Sequence, residues 1–283
     1  MGTTDKRRRA VLGALAASPV MASTAELTPP SQPAATFVLI PGTWHGGWVW
    51  APVARWLRSA GCQAYCVTCT GLGERSHLLS PDVGLQTHVD DVVNLIEWEE
   101  LERPIVVAHS FGGITLTGVA DRLRDRLGRV VFYDAFVPTR DRPAWVMRDE
   151  NGHWPEWWQA RQAKFIDGYK MDFFAEYPME MLVDPERYPD IAALLRRRLT
   201  PHPARQWTEP VSFANGGWET LPRTYIHCVG QEFRQSSDAM YGPAKQPGWQ
   251  FLEAETSRLG MLTHTRDTAE MLLSLVSPAH AEA

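Results

Sequence analysis

Cysteine is scarce in this chain, four residues in 283, so a disulfide framework is excluded as its main source of stability. Long apolar runs are missing as well. None reaches the roughly 18 residues that a membrane-spanning helix requires. Neither sign of charge dominates: 28 Lys and Arg stand against 33 Asp and Glu, a net charge of -5. Without a basic field to attract phosphates, no nucleic-acid partner is expected, and no membrane partner either. No internal repeat is visible, which removes solenoids and propellers. Cys62, Cys66 and Cys69 cluster around one segment and Cys228 lies far from them. That spacing does not resemble a zinc site, so no metal and no organic cofactor is expected. What is plentiful is apolar: 44% hydrophobic residues, 12 of all residues being Trp. The sum reads as a soluble globular protein with one large α/β domain that carries an insertion.

Residues 1–25 read as an export signal. Lys6-Arg7-Arg8-Arg9 precedes a mildly apolar stretch, Ala10 to Ala17, and small residues at Ser23 and Ala25, or Val20 and Ala22, suit a cleavage site. The run Arg8-Arg9-Ala10-Val11-Leu12 looks like a bacterial twin-arginine signal, which implies a periplasmic or secreted protein. The competing reading is a solvated basic tail on a cytoplasmic enzyme. A Pro-rich linker over 26–35 leads into the folded part.

From there strands and helices alternate. Thr36 to Ile40 is a continuous apolar run with β-branched and aromatic residues, the pattern of a buried strand. Val49, Val53, Trp56 and Leu57 then share one helical face, stopped by Gly61. Further strands are expected at 63–67, 105–108, 130–133, 224–229 and 250–252. Helices are expected from Thr87, with Asp90 as a capping-box acid, from 111 to 126 and from 268 to 276. Strands separated by helices mean a parallel, doubly wound sheet. The rhythm breaks from 138 to 206, a stretch rich in Trp (145, 154, 157, 158), Pro and charge, with an amphipathic piece at 191–199. It reads as a helical cap over the sheet's C-terminal edge, with core segments 36–137 and 207–283 on either side, and most of its Trp residues as ordinary packing.

The chemistry concentrates at Ser110. Ala108-His109-Ser110-Phe111-Gly112-Gly113 follows an apolar strand and opens a helix. A nucleophile elbow needs that context, because small residues on both sides permit the sharp turn that exposes Oγ. A Ser that merely caps the helix is the alternative. Upstream, Pro41-Gly42-Thr43-Trp44-His45-Gly46-Gly47-Trp48 follows the first strand. A Gly-rich loop there aims a backbone N–H into the site, so Thr43 and Phe111 are the expected oxyanion-hole donors. His45 reads as a residue that ties down its loop rather than as a base.

These segments resemble the α/β-hydrolases, in the branch of hydroxynitrile lyases, plant methyl-ester esterases and their bacterial esterase relatives. Thr70-Gly71-Leu72-Gly73-Glu74-Arg75-Ser76-His77-Leu78, Thr87-His88-Val89-Asp90-Asp91-Val92 and Tyr133-Asp134-Ala135-Phe136-Val137-Pro138 carry the likeness further. The resemblance covers about residues 36–277 and implies an α/β-hydrolase fold with Ser110 as nucleophile. It offers two places for the triad acid. Asp134 ends the strand before the excursion and is favoured; Glu232, next to Gln231 after the strand ending at Val229, is the alternative.

The base is where the pattern is not met. The family's histidine segment corresponds to Ser257-Arg258-Leu259-Gly260-Met261-Leu262, so Arg258 occupies its slot. A guanidinium stays protonated and cannot accept the serine proton. Beside Asp134 it is expected to form a charge-assisted pair. His264, six residues on, is an alternative base only if its loop is rebuilt; His77 and His153 are more distant candidates, and His227 reads as a core residue. Three functions follow. One is an exported hydrolase of small carboxylic esters, thioesters or lactones with an atypical triad. Another is a lyase, isomerase or cyclase in which Arg258 holds a carboxylate or an enolate. The last is a silenced binding protein for a hydrophobic or aromatic small molecule. The pattern does not give the oligomeric state.

Overall fold

The computed structural model describes residues 33–230 and 240–276. Glu232 and residues 1–25, the stretch expected to be an export signal, lie outside the described residues. Six parallel strands make the central sheet: β1 (Thr36–Ile40), β2 (Gln63–Cys66), β3 (Ile105–His109), β4 (Arg129–Tyr133), β7 (Arg223–Cys228) and β8 (Gln250–Ala254), in the order β2-β1-β3-β4-β7-β8. Two short antiparallel strands, β5 (Lys170–Met171) and β6 (His202–Pro203), sit in the excursion between β4 and β7. The expected α/β-hydrolase architecture, a doubly wound parallel sheet flanked by helices, is the one observed. No helix among the described residues is long and apolar enough to cross a membrane.

The strands read as apolar runs because both faces of the sheet are covered. Phe37, Leu39, Val107 and Val131 pack on one side, against α1 (Ala51–Ser59) and α8 (Thr265–Ser274). Val38, Val106, Val130 and Phe132 pack on the other, toward α2 (Leu85–Trp98) and α3 (Gly112–Leu123). The excursion adds α4 (Glu156–Gln162), α5 (Pro189–Arg198) and α6 (Arg205–Thr208), and α7 (Gly260–Thr263) precedes α8.

Two local expectations are corrected. α2 starts at Leu85, not Thr87: Gly84 is the cap and its N–H donates to Thr87 Oγ1, while Leu85 N–H donates to Glu209 across the fold. Asp90 is therefore past the first turn, where it engages Gln86 and Arg122 instead of capping. Trp56 is exposed rather than inward. Val53 and Leu57, one turn apart, hold the core stripe of α1, and Trp56 lies on its flank under the Arg266 guanidinium.

The sheet order reverses direction between β1 and β3, the switch point beside which open α/β sheets bind their ligands. Register brings the ends level. Ile40 pairs with Ala108, His109 with Tyr133, and Tyr133 with Ile226. Thr43, Ser110 and Asp134 thus emerge from three adjacent strand ends. The helix that follows β3 packs hard against the neighbouring chain. A Cβ on Gly113 would lie 2.0 Å from the carbonyl oxygen of Phe136, a backbone atom that cannot retreat cheaply. Gly113→Ala is expected to destabilise the fold by about 3 kcal/mol or more, measured by urea denaturation. A loss under ~1 kcal/mol would show that the segment after Asp134 yields easily.

Candidate active site

Ser110 sits at φ +53, a left-handed conformation that a non-glycine residue adopts only under constraint. The constraint is visible. Its N–H donates to Tyr133 O (3.3 Å), and its carbonyl accepts from Gly113 N–H (3.2 Å) and Phe136 N–H (3.0 Å). Glycines make room for the turn: a Cβ on Gly112 would fall 2.6 Å from Pro41 O, and one on Gly42 would fall 2.8 Å from Ser110 Cβ. The backbone N–H groups of Thr43 and Phe111 have no acceptor among the described residues, which leaves both available to an incoming oxyanion.

Arg258 is the residue hydrogen-bonded to the serine. Its Nη2 donates to Ser110 Oγ at 2.7 Å, and its Nη1 lies 3.3 Å from Asp134 Oδ2. Asp134 is fully buried and itself left-handed, at φ +42. Its Oδ1 accepts from Cys228 N–H (3.4 Å) and lies 3.6 Å from His227 Nδ1. The fold therefore brings Ser110, Arg258 and Asp134 together as a row. His227 is buried as expected, yet it faces this carboxylate rather than a purely apolar core.

The alternative bases do not reach the serine. His264 caps α8, engages Thr263 Oγ1 (2.9 Å) and lies edge-on to Tyr188. His153 is exposed beside Asp149, and His77 is exposed on the turn after Gly73. His45 ties down its loop: the Thr43 carbonyl can only accept, so His45 Nδ1 carries the hydrogen of that 2.7 Å bond. Burial, with a smaller push from the Arg258 cation, lowers the His45 pKa to about 4.

A model of the alpha/beta hydrolase family matches residues 37–270. The carbendazim hydrolyzing esterase of Nocardioides sp. is 34% identical over 248 residues, which cover 85% of this chain and 99% of that protein. The chain belongs to the alpha/beta hydrolase family. Methylesterase 8 of Arabidopsis thaliana is 23% identical over 219 residues, 73% of this hydrolase and 78% of the relative. Among solved structures, an extracellular alpha/beta-hydrolase from a Paenibacillus species superposes with a TM-score of 0.68 at 21% identity, covering 85% of this chain and 98% of its own. That protein is described as sharing structural and functional homology with tobacco Salicylic Acid Binding Protein 2. Polyneuridine aldehyde esterase gives a TM-score of 0.62 at 17% identity, over 87% of this chain and all of its own.

The hydrolase has a further layer that the residue pattern does not display. Three residues of the excursion grip the loop after β1 and the start of α3, where Thr43 and Phe111 lie. His202 Nδ1 accepts from the Trp44 N–H (3.3 Å), which fixes its tautomer, so its Nε2–H donates to Gln206 Oε1 (3.0 Å). That contact turns Gln206 Nε2 toward the Phe111 carbonyl (3.2 Å) and Thr115 Oγ1. Trp207 Nε1 donates to Thr43 Oγ1 (3.2 Å), and its ring stacks on Phe111 with centroids 4.2 Å apart. Trp145 meets Phe111 and Phe136 edge-on. Aromatic rings therefore cluster around Phe111, the residue after Ser110, and the cation beside the serine is Arg258.

Proposed function

We propose that this protein is an exported enzyme of the esterase class that takes a small carboxylic ester, thioester or lactone at Ser110, with Arg258 where a general base would act. The observation that carries this reading is the 2.7 Å bond from Arg258 Nη2 to Ser110 Oγ, with the Thr43 and Phe111 N–H groups without an acceptor among the described residues. The esterase relatives support the reaction class, the aromatic rings around Phe111 support a hydrophobic or aromatic substrate, and the Arg-rich leader supports export to the periplasm or medium.

Chemistry follows from the charges. The Thr43 and Phe111 N–H groups polarise the substrate carbonyl. Arg258 cannot accept the Ser110 proton, but its positive hydrogen bond lowers the cost of an alkoxide there, partly offset by Asp134. The proton therefore leaves to hydroxide, giving water. The alkoxide attacks the carbonyl carbon, and the tetrahedral oxyanion rests on the two N–H groups. Collapse expels the alcohol or thiol, which takes a proton from water, and a second hydroxide releases the acid.

Labelling with a fluorophosphonate, together with p-nitrophenyl ester turnover, tests this reading. Wild type should label slowly, faster as pH rises, and Ser110→Ala should neither label nor turn over. The guanidinium that donates to Ser110 Oγ also favours a second reading, a lyase, isomerase or cyclase that stabilises an enolate without a covalent step. Ester turnover that survives in Ser110→Ala, or a wild type that never labels, would reject the nucleophile and favour that second reading.

A further inference from the structure

We propose that the buried Arg161–Glu176 pair of the excursion is a positioning device for the oxyanion hole, holding Trp207 and Tyr177 so that these hold Thr43 and Trp44. The kinetic half of this inference rests on the esterase reading; the structural half does not.

An ion pair this deep needs a reason. Both side chains are more than nine-tenths buried, with Arg161 Nε 2.7 Å from the Glu176 carboxylate. Apolar residues of similar volume would fill the space without the desolvation cost. What they would lack is orientation. The guanidinium carbon lies over the Trp207 ring, 4.2 Å from its centroid, and Nη1 donates to the Tyr177 hydroxyl at 2.8 Å. Each of those rings reaches the loop after β1. Trp207 donates to Thr43 Oγ1 and stacks on Phe111, so it touches the side chains of both oxyanion residues. Tyr177 packs edge-on against Trp44 at 5.9 Å.

Trp44 is the residue that most needs holding. It stands at φ +67, strained for a side chain with a Cβ, and directly follows Thr43. Such a conformation persists only where its surroundings over-determine it. Trp44 Nε1 donates to Met171 O (2.9 Å), its N–H donates to His202, its carbonyl accepts from Thr200 N–H (3.2 Å), and Phe173, Tyr177 and Trp207 box the ring. Every one of those partners belongs to the excursion between β4 and β7. The Arg161–Glu176 pair anchors two of them at once.

The test compares wild type, Arg161→Lys and the double variant Arg161→Met/Glu176→Leu, which removes both charges and strands neither. Melting temperature reports the fold, and p-nitrophenyl ester kinetics report kcat and KM. Solvent exchange of the Trp207 indole N–H, assigned by NMR with Trp207→Phe, reports the grip on Thr43. The double variant is expected to melt within a few degrees of wild type, to lose about 10²-fold in kcat with KM within about threefold, and to exchange the indole hydrogen at least ~10-fold faster. Arg161→Lys, which keeps the charge but not the plane or the fork, should fall between the two. A double variant with wild-type kcat and a wild-type exchange rate overturns the proposal, as does a loss confined to KM. If wild type turns over no ester, the esterase reading fails on its own, and an indole that stays protected in the double variant still overturns this inference.

Discussion

Arg258→His is expected to raise ester turnover by about 10³-fold or more. Loss of the base from a serine hydrolase costs on the order of 10⁶ in kcat, and the oxyanion hole and binding alone retain about 10³–10⁴ over water. On the proposed reading the retained part is the Thr43 and Phe111 N–H groups, the left-handed Ser110, and the contacts from the excursion that fix them. Asp134 is the acid on that reading. Asp134 lies 3.3 Å from Arg258 Nη1, close enough to orient an imidazole placed on the same turn. The two proteins should differ in pH profile as well as rate. Wild-type turnover should climb about tenfold per pH unit without a plateau, because hydroxide takes the proton. The variant should level off above the pKa of its new imidazole, near 6.5 in ordinary surroundings. A variant as slow as wild type, still climbing with pH, would mean that Asp134 does not serve as the acid, and the proposed row would have to be abandoned.

Acidification from about pH 6.5 to pH 4 is expected to cost the fold roughly 3 kcal/mol through His45 alone. Burial is the first cause of its low pKa, about 4, and the Arg258 cation adds to it. In that window the unfolded chain binds a proton that folded His45 refuses, so stability falls as pH falls and is restored as pH rises past 6.5. His109 and His202 are pushed in the same direction, again by burial first, with Arg258 next for His109 and His88 next for His202. His88 follows them. The acidic limb should therefore be steep well before the carboxylates titrate. Urea denaturation at about pH 7 and about pH 4.5 measures it, and His45→Gln should remove part of the slope. Equal stability at both values would show that these rings take up protons in the folded state.

How much of this could be read from the residues differs from one part of the site to the next. The elbow was legible because its determinants are local: an apolar strand, a serine, glycines and a helix within one short stretch. The contact between Arg258 and Asp134 was legible because opposite charges follow two strand ends of one sheet. The clamp made by His202, Gln206 and Trp207 was not. β6 is two residues long and α6 four, so neither has a period to detect, and their partners lie 91 to 164 positions away. The Arg161–Glu176 pair hid for the same reason, since loop closure rather than helical spacing brings it together. The start of α2 was misplaced because Gly84 caps without a side chain, and Glu209 supplies the missing acceptor from across the fold.

The contact between Arg258 and Asp134 also bears on how the chain closes. Asp134 leaves β4, near the middle of the sheet, while Arg258 follows β8, the last strand and an edge of it. Until that strand docks, a fully buried carboxylate has lost water without gaining its arginine, a state that costs several kcal/mol. Burial of Asp134 is therefore favoured most once the C-terminal segment brings Arg258 to it. β8 acts as a fastener, because its docking on β7 carries the cation to the Ser110 and Asp134 strand ends.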